Sequence, residues 1–242
     1  MKPVVFLPGL SYRSTMWDGV KKLLSPAIYA PYALDFPEYG SRYKDKQLSL
    51  QTYAHYVQDV VHEQNIRTPM ILVGQSLGGL VALHYAHMYP HRVASLVLTS
   101  TPLPKHPHKL NMLYRAGLAV GTRYKKADYL VKKGVKLMSY QNIIKRTRFG
   151  YISTADFLKY NSLHAVCSCY RDIFTYDMSD LVRGVTTKTT LLYGTRDTVL
   201  HKFRAMDLYP LLKHAHVRAV DATHSVPIDT PHEVVRAIYD AD

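Results

Sequence analysis

Cysteine is almost absent from this sequence, which contains only Cys167 and Cys169 among 242 residues. Two cysteines one residue apart are poorly placed for a stabilising disulfide, and the neighbouring sequence offers no further ligands for a metal site. We therefore interpret both as small buried side chains. The expectation that follows is a protein without a bound metal, in the reducing environment of the cytoplasm.

Long apolar runs are also lacking. No segment approaches the ~20 consecutive apolar residues that a membrane-spanning helix needs. The first residues enter a strand-like run directly and show no signal-peptide pattern, which again favours a cytoplasmic location. With 47% hydrophobic and 20% charged residues, the composition is that of an ordinary globular protein. Its length suits one large α/β domain with a full core.

Acidic residues are scarce in one region only. Residues 105–159 contain 13 lysines and arginines but just two aspartates, so this stretch carries +11 of the total net charge of +13. Such a surface could lie against an anionic membrane, or its lysines could simply be solvated. Nucleic acid is not expected as a partner, because the sequence has no recognised nucleic-acid-binding motif and the lysines alternate with core-like leucine and tyrosine.

The chain is organised around Gly-x-Ser-x-Gly, with Ser76 between Gly74 and Gly78. An apolar run of strand length precedes the motif and a helical pattern follows it, which is the context that this motif requires. A sharp strand-to-helix turn leaves no room for Cβ atoms beside the serine, and it holds the serine itself in a strained conformation. The amides of Ser76 and Leu77 would lie at a helix N-terminus, where an oxyanion is favoured. The alternative is a glycine-rich turn with a helix-capping serine.

The motif and its context resemble those of the serine hydrolases of α/β-hydrolase fold. The resemblance implies that an acid and then a histidine follow the serine in that order. Asp197 follows the apolar strand at 190–192 after the four residues 193–196, and His224 lies between the last strand and the terminal helical stretch. Asp221 is a second candidate acid, but it lies only three residues from His224, and we interpret it as capping the loop.

The resemblance also implies a role for each residue. Ser76 would be the nucleophile, His224 the general base, and Asp197 the residue that orients the imidazole. The backbone amides of Leu77 and Leu10 would form the oxyanion hole. Leu10 follows Pro-Gly where the family usually has His-Gly, and His224 follows a threonine where the family usually has glycine. No cofactor is implied.

Alternation of strands and helices predicts an α/β fold with a mainly parallel six-stranded sheet flanked by helices. Residues 1–102 and 181–242 would form this core domain. Residues 103–180 interrupt the alternation and read as helices, so we predict an all-helical lid insert there. In the resembling family such an insert lies over the nucleophile, where it excludes water and shapes the pocket.

These observations favour the hydrolysis of a small-molecule carboxylic ester through an acyl-enzyme. Hydrolysis of a thioester, a lactone or a carbon–carbon bond would use the same triad, and a small-molecule-binding receptor on the same fold is an alternative of another class. His84 and His87 share a helix face, but no third metal ligand is evident. We therefore expect both to be partly exposed helix residues.

Overall fold

The protein is described here by a computed structural model, which covers residues 1–10, 12–36, 49–103, 176–200 and 206–242. The chain divides into two compact units. One comprises Met1–Phe36, Tyr53–Leu103 and Met178–Asp242, and the other comprises Pro37–Thr52 and Pro104–Asp177. Nearly all of the second unit lies outside the described residues. The predicted lid helices and their basic surface therefore stay predictions.

Six parallel strands form one sheet in the order β2-β1-β3-β4-β5-β6. The strands are β1 (Lys2–Leu7), β2 (Tyr29–Ala33), β3 (Met70–Gln75), β4 (Val93–Thr99), β5 (Lys188–Gly194) and β6 (Ala215–Val220). The central strands read as continuous apolar runs because helices cover both of their faces. Every residue of β3 is buried. The predicted fold class is thus confirmed.

Helices cover the sheet on its two faces. They are α1 (Asp18–Leu23), α2 (Leu50–Glu63), α3 (Leu77–Met88), α4 (Ser179–Arg183), α5 (Val226–Asp229) and α6 (Pro231–Ala241), with 3-10 turns at Ser14–Trp17, Pro90–Arg92 and Tyr209–Leu211. The core on one face joins α1, α5 and α6 to the sheet, while α3 packs against β1, β3 and β4. No helix within the described ranges is long and apolar enough to cross a membrane.

The C-terminal helix α6 is amphipathic and anchors the end of the chain to the sheet. Its apolar positions recur at helical spacing, so that Val234, Ala237, Ile238 and Ala241 are all buried. They join the same cluster as Val220, at the end of β6. The short stretch between β6 and α5, which carries His224, is therefore held at both ends by buried residues, Val220 and Val226.

The strand order places the functional edge of the sheet. β2 lies on one side of β1 and β3 on the other, so the winding direction reverses between β1 and β3. Ligands of open α/β sheets bind at such a switch point, at the carboxyl ends of the strands. Leu7 pairs with Gly74 in the β1–β3 register. The loop after β1 and the serine turn after β3 therefore leave the sheet side by side.

Candidate active site

Ser76 occupies a strained turn between β3 and α3. Its backbone angles are φ 50° and ψ −112°, a region that non-glycine residues rarely adopt. The turn is held on both sides, because the Ser76 amide donates to the Thr99 carbonyl at 2.9 Å and the Ser76 carbonyl accepts from the Gly79 amide at 3.0 Å. A strained residue of this kind persists only where its surroundings fix it, and such residues cluster at functional sites.

The glycines of the motif are required by close backbone approach. A Cβ on Gly74 would lie 2.5 Å from the Gly78 carbonyl oxygen. A Cβ on Gly78 would overlap the Leu7 carbonyl oxygen and lie 2.6 Å from that of Pro8. Real Cβ atoms do not approach backbone atoms this closely. The first turn of α3 is consequently packed directly against the end of β1.

Asp197 and His224 are joined by a direct hydrogen bond. The distance from His224 Nδ1 to Asp197 Oδ2 is 2.8 Å, and the two side chains are only 13% and 3% exposed. A carboxylate can only accept, so Nδ1 carries the proton and Nε2 is left as the acceptor. The imidazole is thereby fixed in the tautomer that a general base needs.

The second carboxylate oxygen of Asp197, Oδ1, also accepts hydrogen bonds. Oδ1 accepts hydrogen bonds from the amides of Val199 and Leu200, each at 2.9 Å. Burial by itself would raise the pKa of this carboxyl, but the hydrogen bonds from His224, Leu200 and Val199 outweigh it and lower the pKa below its usual value. Asp197 is therefore ionised at neutral pH, and its carboxylate is fixed in orientation.

The loop that carries His224 is fixed by hydrogen bonds of the residues on both sides of His224. Asp229 Oδ2 accepts from the Thr223 amide at 2.7 Å and from the Thr223 hydroxyl at 2.6 Å. Ser225 Oγ lies 2.7 Å from the hydroxyl of Tyr12, a residue of the loop after β1. The threonine that replaces the family's usual glycine thus contributes a side-chain hydrogen bond to the loop.

Gln75 connects the serine turn to the histidine loop. Its side-chain amide donates to the His224 carbonyl at 3.0 Å, which ties the residue before Ser76 to the backbone of His224. Leu77 is the first residue of α3, so its amide lies at the positive end of the helix. Leu10 follows Gly9, which lies against Gln75, and the Gly9 carbonyl accepts a hydrogen bond from the Tyr12 amide at 3.1 Å.

The competing candidates lie elsewhere. Asp221 forms an exposed ion pair with Arg196 at 2.8 Å. Among the described residues, no hydrogen bond joins Asp221 to His224. His84 is buried, contrary to the sequence-based expectation, because α3 is covered on all sides along most of its length. His87 on the same helix is exposed. Within the described ranges no three His, Cys, Asp or Glu side chains group as metal ligands.

Several contacts around the site have no local signature in the sequence. Gln75, Tyr12, Ser225 and Asp229 belong to no motif that would mark them as site residues. Tyr12 and Ser225 are 213 residues apart in the chain. The one hint was the pair of departures from the family pattern, Pro8 before Gly9 and Thr223 before His224, which mark the two loops where these contacts form.

Fold and site together define an α/β protein whose polar residues gather at the carboxyl ends of parallel strands. A profile of the alpha/beta hydrolase family matches residues 4–237. The chain belongs to the alpha/beta hydrolase family, as the order of its motifs predicted.

Individual relatives match parts of the chain. The homoserine O-acetyltransferase of Thermus thermophilus is 30% identical over 125 residues, which is 49% of this chain and 30% of that protein. The pimeloyl-[acyl-carrier protein] methyl ester esterase of Neisseria meningitidis is 35% identical over 101 residues, 42% of this chain and 37% of that protein. The chain therefore spans well under half the length of either relative.

Solved structures resemble the chain over nearly its whole length. An esterase from Exiguobacterium antarcticum superposes with a TM-score of 0.74 and 18% identity, covering 99% of this chain and 91% of the esterase. At this level of identity the likeness establishes the fold and leaves the substrate open.

Proposed function

We propose that this protein is a serine hydrolase that cleaves a carboxylic ester through an acyl-enzyme. The observation that carries the proposal is the hydrogen bond of 2.8 Å between His224 Nδ1 and the buried carboxylate of Asp197. A serine on a strained turn at the end of β3 completes the set. The three residues follow one another along the chain in the order expected for this fold.

Each residue has a defined task in the proposed reaction. His224 Nε2 takes the proton from the Ser76 hydroxyl as Ser76 Oγ attacks the ester carbonyl, and the Asp197 carboxylate stabilises the imidazolium that forms. Collapse of the tetrahedral intermediate expels the alcohol, which receives the proton from His224. Water then attacks the acyl-enzyme by the same route, releasing the acid and free Ser76.

The amides of Leu77 and Leu10 are proposed to bind the oxyanion of both tetrahedral intermediates. The Leu77 amide is oriented by α3, and close packing of Gly78 against the Leu7 and Pro8 carbonyls holds the two segments together. Removal of one oxyanion donor typically costs ~2.7–4 kcal/mol of transition-state stabilisation. Backbone donors need no reorganisation during the reaction, which suits them to this role.

Hydrolysis of p-nitrophenyl acetate, butyrate and octanoate tests the proposal. The wild-type protein should release p-nitrophenol at neutral pH, and Ser76→Ala should lose at least about 10³-fold in kcat/KM. Ser25→Ala, a serine in the turn before β2, is the matched control and should retain wild-type rates. Equal rates for Ser76→Ala and wild type would contradict the proposal.

Acyl transfer is a second candidate, favoured by the identity of 30% over half the chain to a protein named as an acetyltransferase. The same acyl-enzyme would then be resolved by a hydroxyl group instead of water. The test is p-nitrophenyl acetate with homoserine as acceptor, followed by mass spectrometry. O-acetylhomoserine as the main product would indicate transfer, and acetate alone would indicate hydrolysis.

The remaining alternatives separate in the same assay. Thioester, lactone and carbon–carbon bond hydrolysis would use the same three residues and are distinguished by substrates of those classes. A small-molecule receptor would bind such compounds without turnover. Activity against the ester series, lost in Ser76→Ala, argues against the receptor.

A further inference from the structure

The side chain of Gln75 is wholly buried between the two loops that flank the serine turn. Gln75 is 0% exposed, and its Nε2 donates to the His224 carbonyl at 3.0 Å. On its other side the amide lies against Gly9, in the loop that carries Leu10. One side chain thus contacts the backbone of the proposed base and the backbone of the proposed oxyanion loop.

The orientation of this amide is determined by its partners. The His224 carbonyl can only accept, so the amino group of Gln75 must face it and Oε1 must face Gly9. Oε1 is buried and has no hydrogen-bond partner among the residues that the structure describes.

The Gln75 side chain occupies the space that a side chain at Gly9 would need. The backbone of Gly9 lies outside the left-handed range, so its conformation does not require glycine. The three atoms nearest to a Cβ at this position all belong to Gln75; the Cβ would overlap Oε1 and lie 2.9 Å from Cδ. The absence of a side chain at residue 9 therefore leaves room for the side-chain amide of Gln75.

We propose that Gln75 is a positioning residue for the reaction described above, on which this inference rests. The side-chain amide of Gln75 holds the His224 backbone at a fixed distance from Ser76, the residue that follows Gln75 in the chain. It also sets the position of Gly9, and through it the amide of Leu10. Loss of the side chain should misplace the base and one oxyanion donor, which lowers kcat and leaves the binding of a small ester unchanged.

Gln75→Met tests the hydrogen bond while keeping the length of the side chain. We expect kcat for p-nitrophenyl acetate to fall about 10–100-fold with KM within about twofold of wild type. The matched control is Gln58→Met, which removes the acceptor of a 2.9 Å hydrogen bond from Tyr85 on α3, away from the site. Gln58→Met should lose stability without losing kcat.

A double-mutant cycle tests the contact with Gly9 and keeps the proposal falsifiable if Gln75→Met unfolds. Gly9→Ala should be severely impaired because its Cβ meets the Gln75 amide. Gly9→Ala with Gln75→Ala removes that overlap, so the double variant should be at least about fivefold more active than Gly9→Ala. Thermal unfolding of the same four proteins should show non-additivity of the same sign.

The outcomes separate the two proposals. An active wild type with an unchanged kcat in Gln75→Met, or a cycle whose effects are additive, contradicts the role of Gln75 alone. A wild type without ester turnover contradicts the proposed function, and the positioning role with it. Loss of kcat in Gln75→Met with rescue of Gly9→Ala by Gln75→Ala supports both.

Discussion

Asp197 binds His224 with one carboxylate oxygen and two backbone amides with the other. Oδ2 lies 2.8 Å from His224 Nδ1, while Oδ1 accepts from Val199 and Leu200 at 2.9 Å each. The two oxygens are therefore not equivalent. Because the two oxygens have different partners, they determine the orientation of an asparagine side chain at position 197.

Asp197→Asn should invert the tautomer of His224. The amides of Val199 and Leu200 require an acceptor, so the asparagine must turn its amino group toward Nδ1. Nδ1 then accepts, and the proton moves to Nε2, where it blocks removal of the Ser76 proton. We expect kcat to fall about 10⁴-fold with little change in fold. The measurement is ester hydrolysis with circular dichroism, and a variant within tenfold of wild type would contradict the assigned role.

Substitution of Ser76 should show the strain in its turn. Residues in such backbone regions cost ~1–3 kcal/mol, and glycine avoids that cost while losing ~0.5–1 kcal/mol in chain entropy. Ser76→Gly should therefore be about 1 kcal/mol more stable than Ser76→Ala, as measured by urea denaturation. At Ser95, within β4, the order should be reversed. A Ser76→Ala variant that is more stable than Ser76→Gly by the ~0.5–1 kcal/mol that glycine loses in chain entropy would mean that the turn stores no strain.

Acid should destabilise the protein through His84. Burial, with a smaller contribution from the charge of His87, lowers the pKa of His84 from 6.5 to about 4. The unfolded chain binds a proton there below about pH 6.5, whereas the folded protein stays neutral until about pH 4, so the free energy of unfolding falls as pH falls through this window. The loss attributable to His84 is up to about 3 kcal/mol.

His84→Gln should flatten this pH dependence. Glutamine keeps polar atoms at the position but has no titrating group, so the denaturation midpoint should change less between pH 6.5 and about pH 4. His91→Gln, on the exposed turn after α3, is the control and should leave the wild-type slope unchanged. An identical slope in His84→Gln would show that other groups account for the acid sensitivity.

The histidine loop should depend on Asp229. Asp229→Ala removes the acceptor for both Thr223 hydrogen bonds and should lower kcat about tenfold, equivalent to ~1.4 kcal/mol. Asp229→Asn retains one oxygen for the same donors and should be affected less. Steady-state kinetics on both variants test this, and an Asp229→Ala enzyme with wild-type kcat would show that Thr223 does not position His224.

The sequence predicted the parts of this molecule that have local patterns. The six predicted strands are the six strands of the sheet, and Gly-x-Ser-x-Gly forms the turn between β3 and α3, because a strand and a helix each impose their own periodicity on the residues. Asp197 and His224 were predicted from their places after β5 and β6, because the resemblance to the family implies an acid and then a histidine in that order.

Contacts between loops that are far apart along the chain could not be predicted from the sequence. Gln75 and His224 are 149 residues apart, and only the packing of β1 against β3 brings Gly9 next to Gln75. The burial of His84 likewise depends on elements that surround α3 in space. The spacing of apolar residues predicts which face of a helix is buried. It makes no such distinction for α3, which is buried on nearly all sides and has no polar face.

The most direct test of the central claim is labelling of Ser76 with a fluorophosphonate, read by intact mass and peptide mapping. An activated serine attacks phosphorus, displaces fluoride and keeps the phosphonyl group, whereas an ordinary serine does not react. We predict a single adduct on Ser76 of the wild-type protein and none on Ser76→Ala. A folded wild-type protein that forms no adduct, or one labelled elsewhere and equally in both proteins, would contradict the proposed nucleophile.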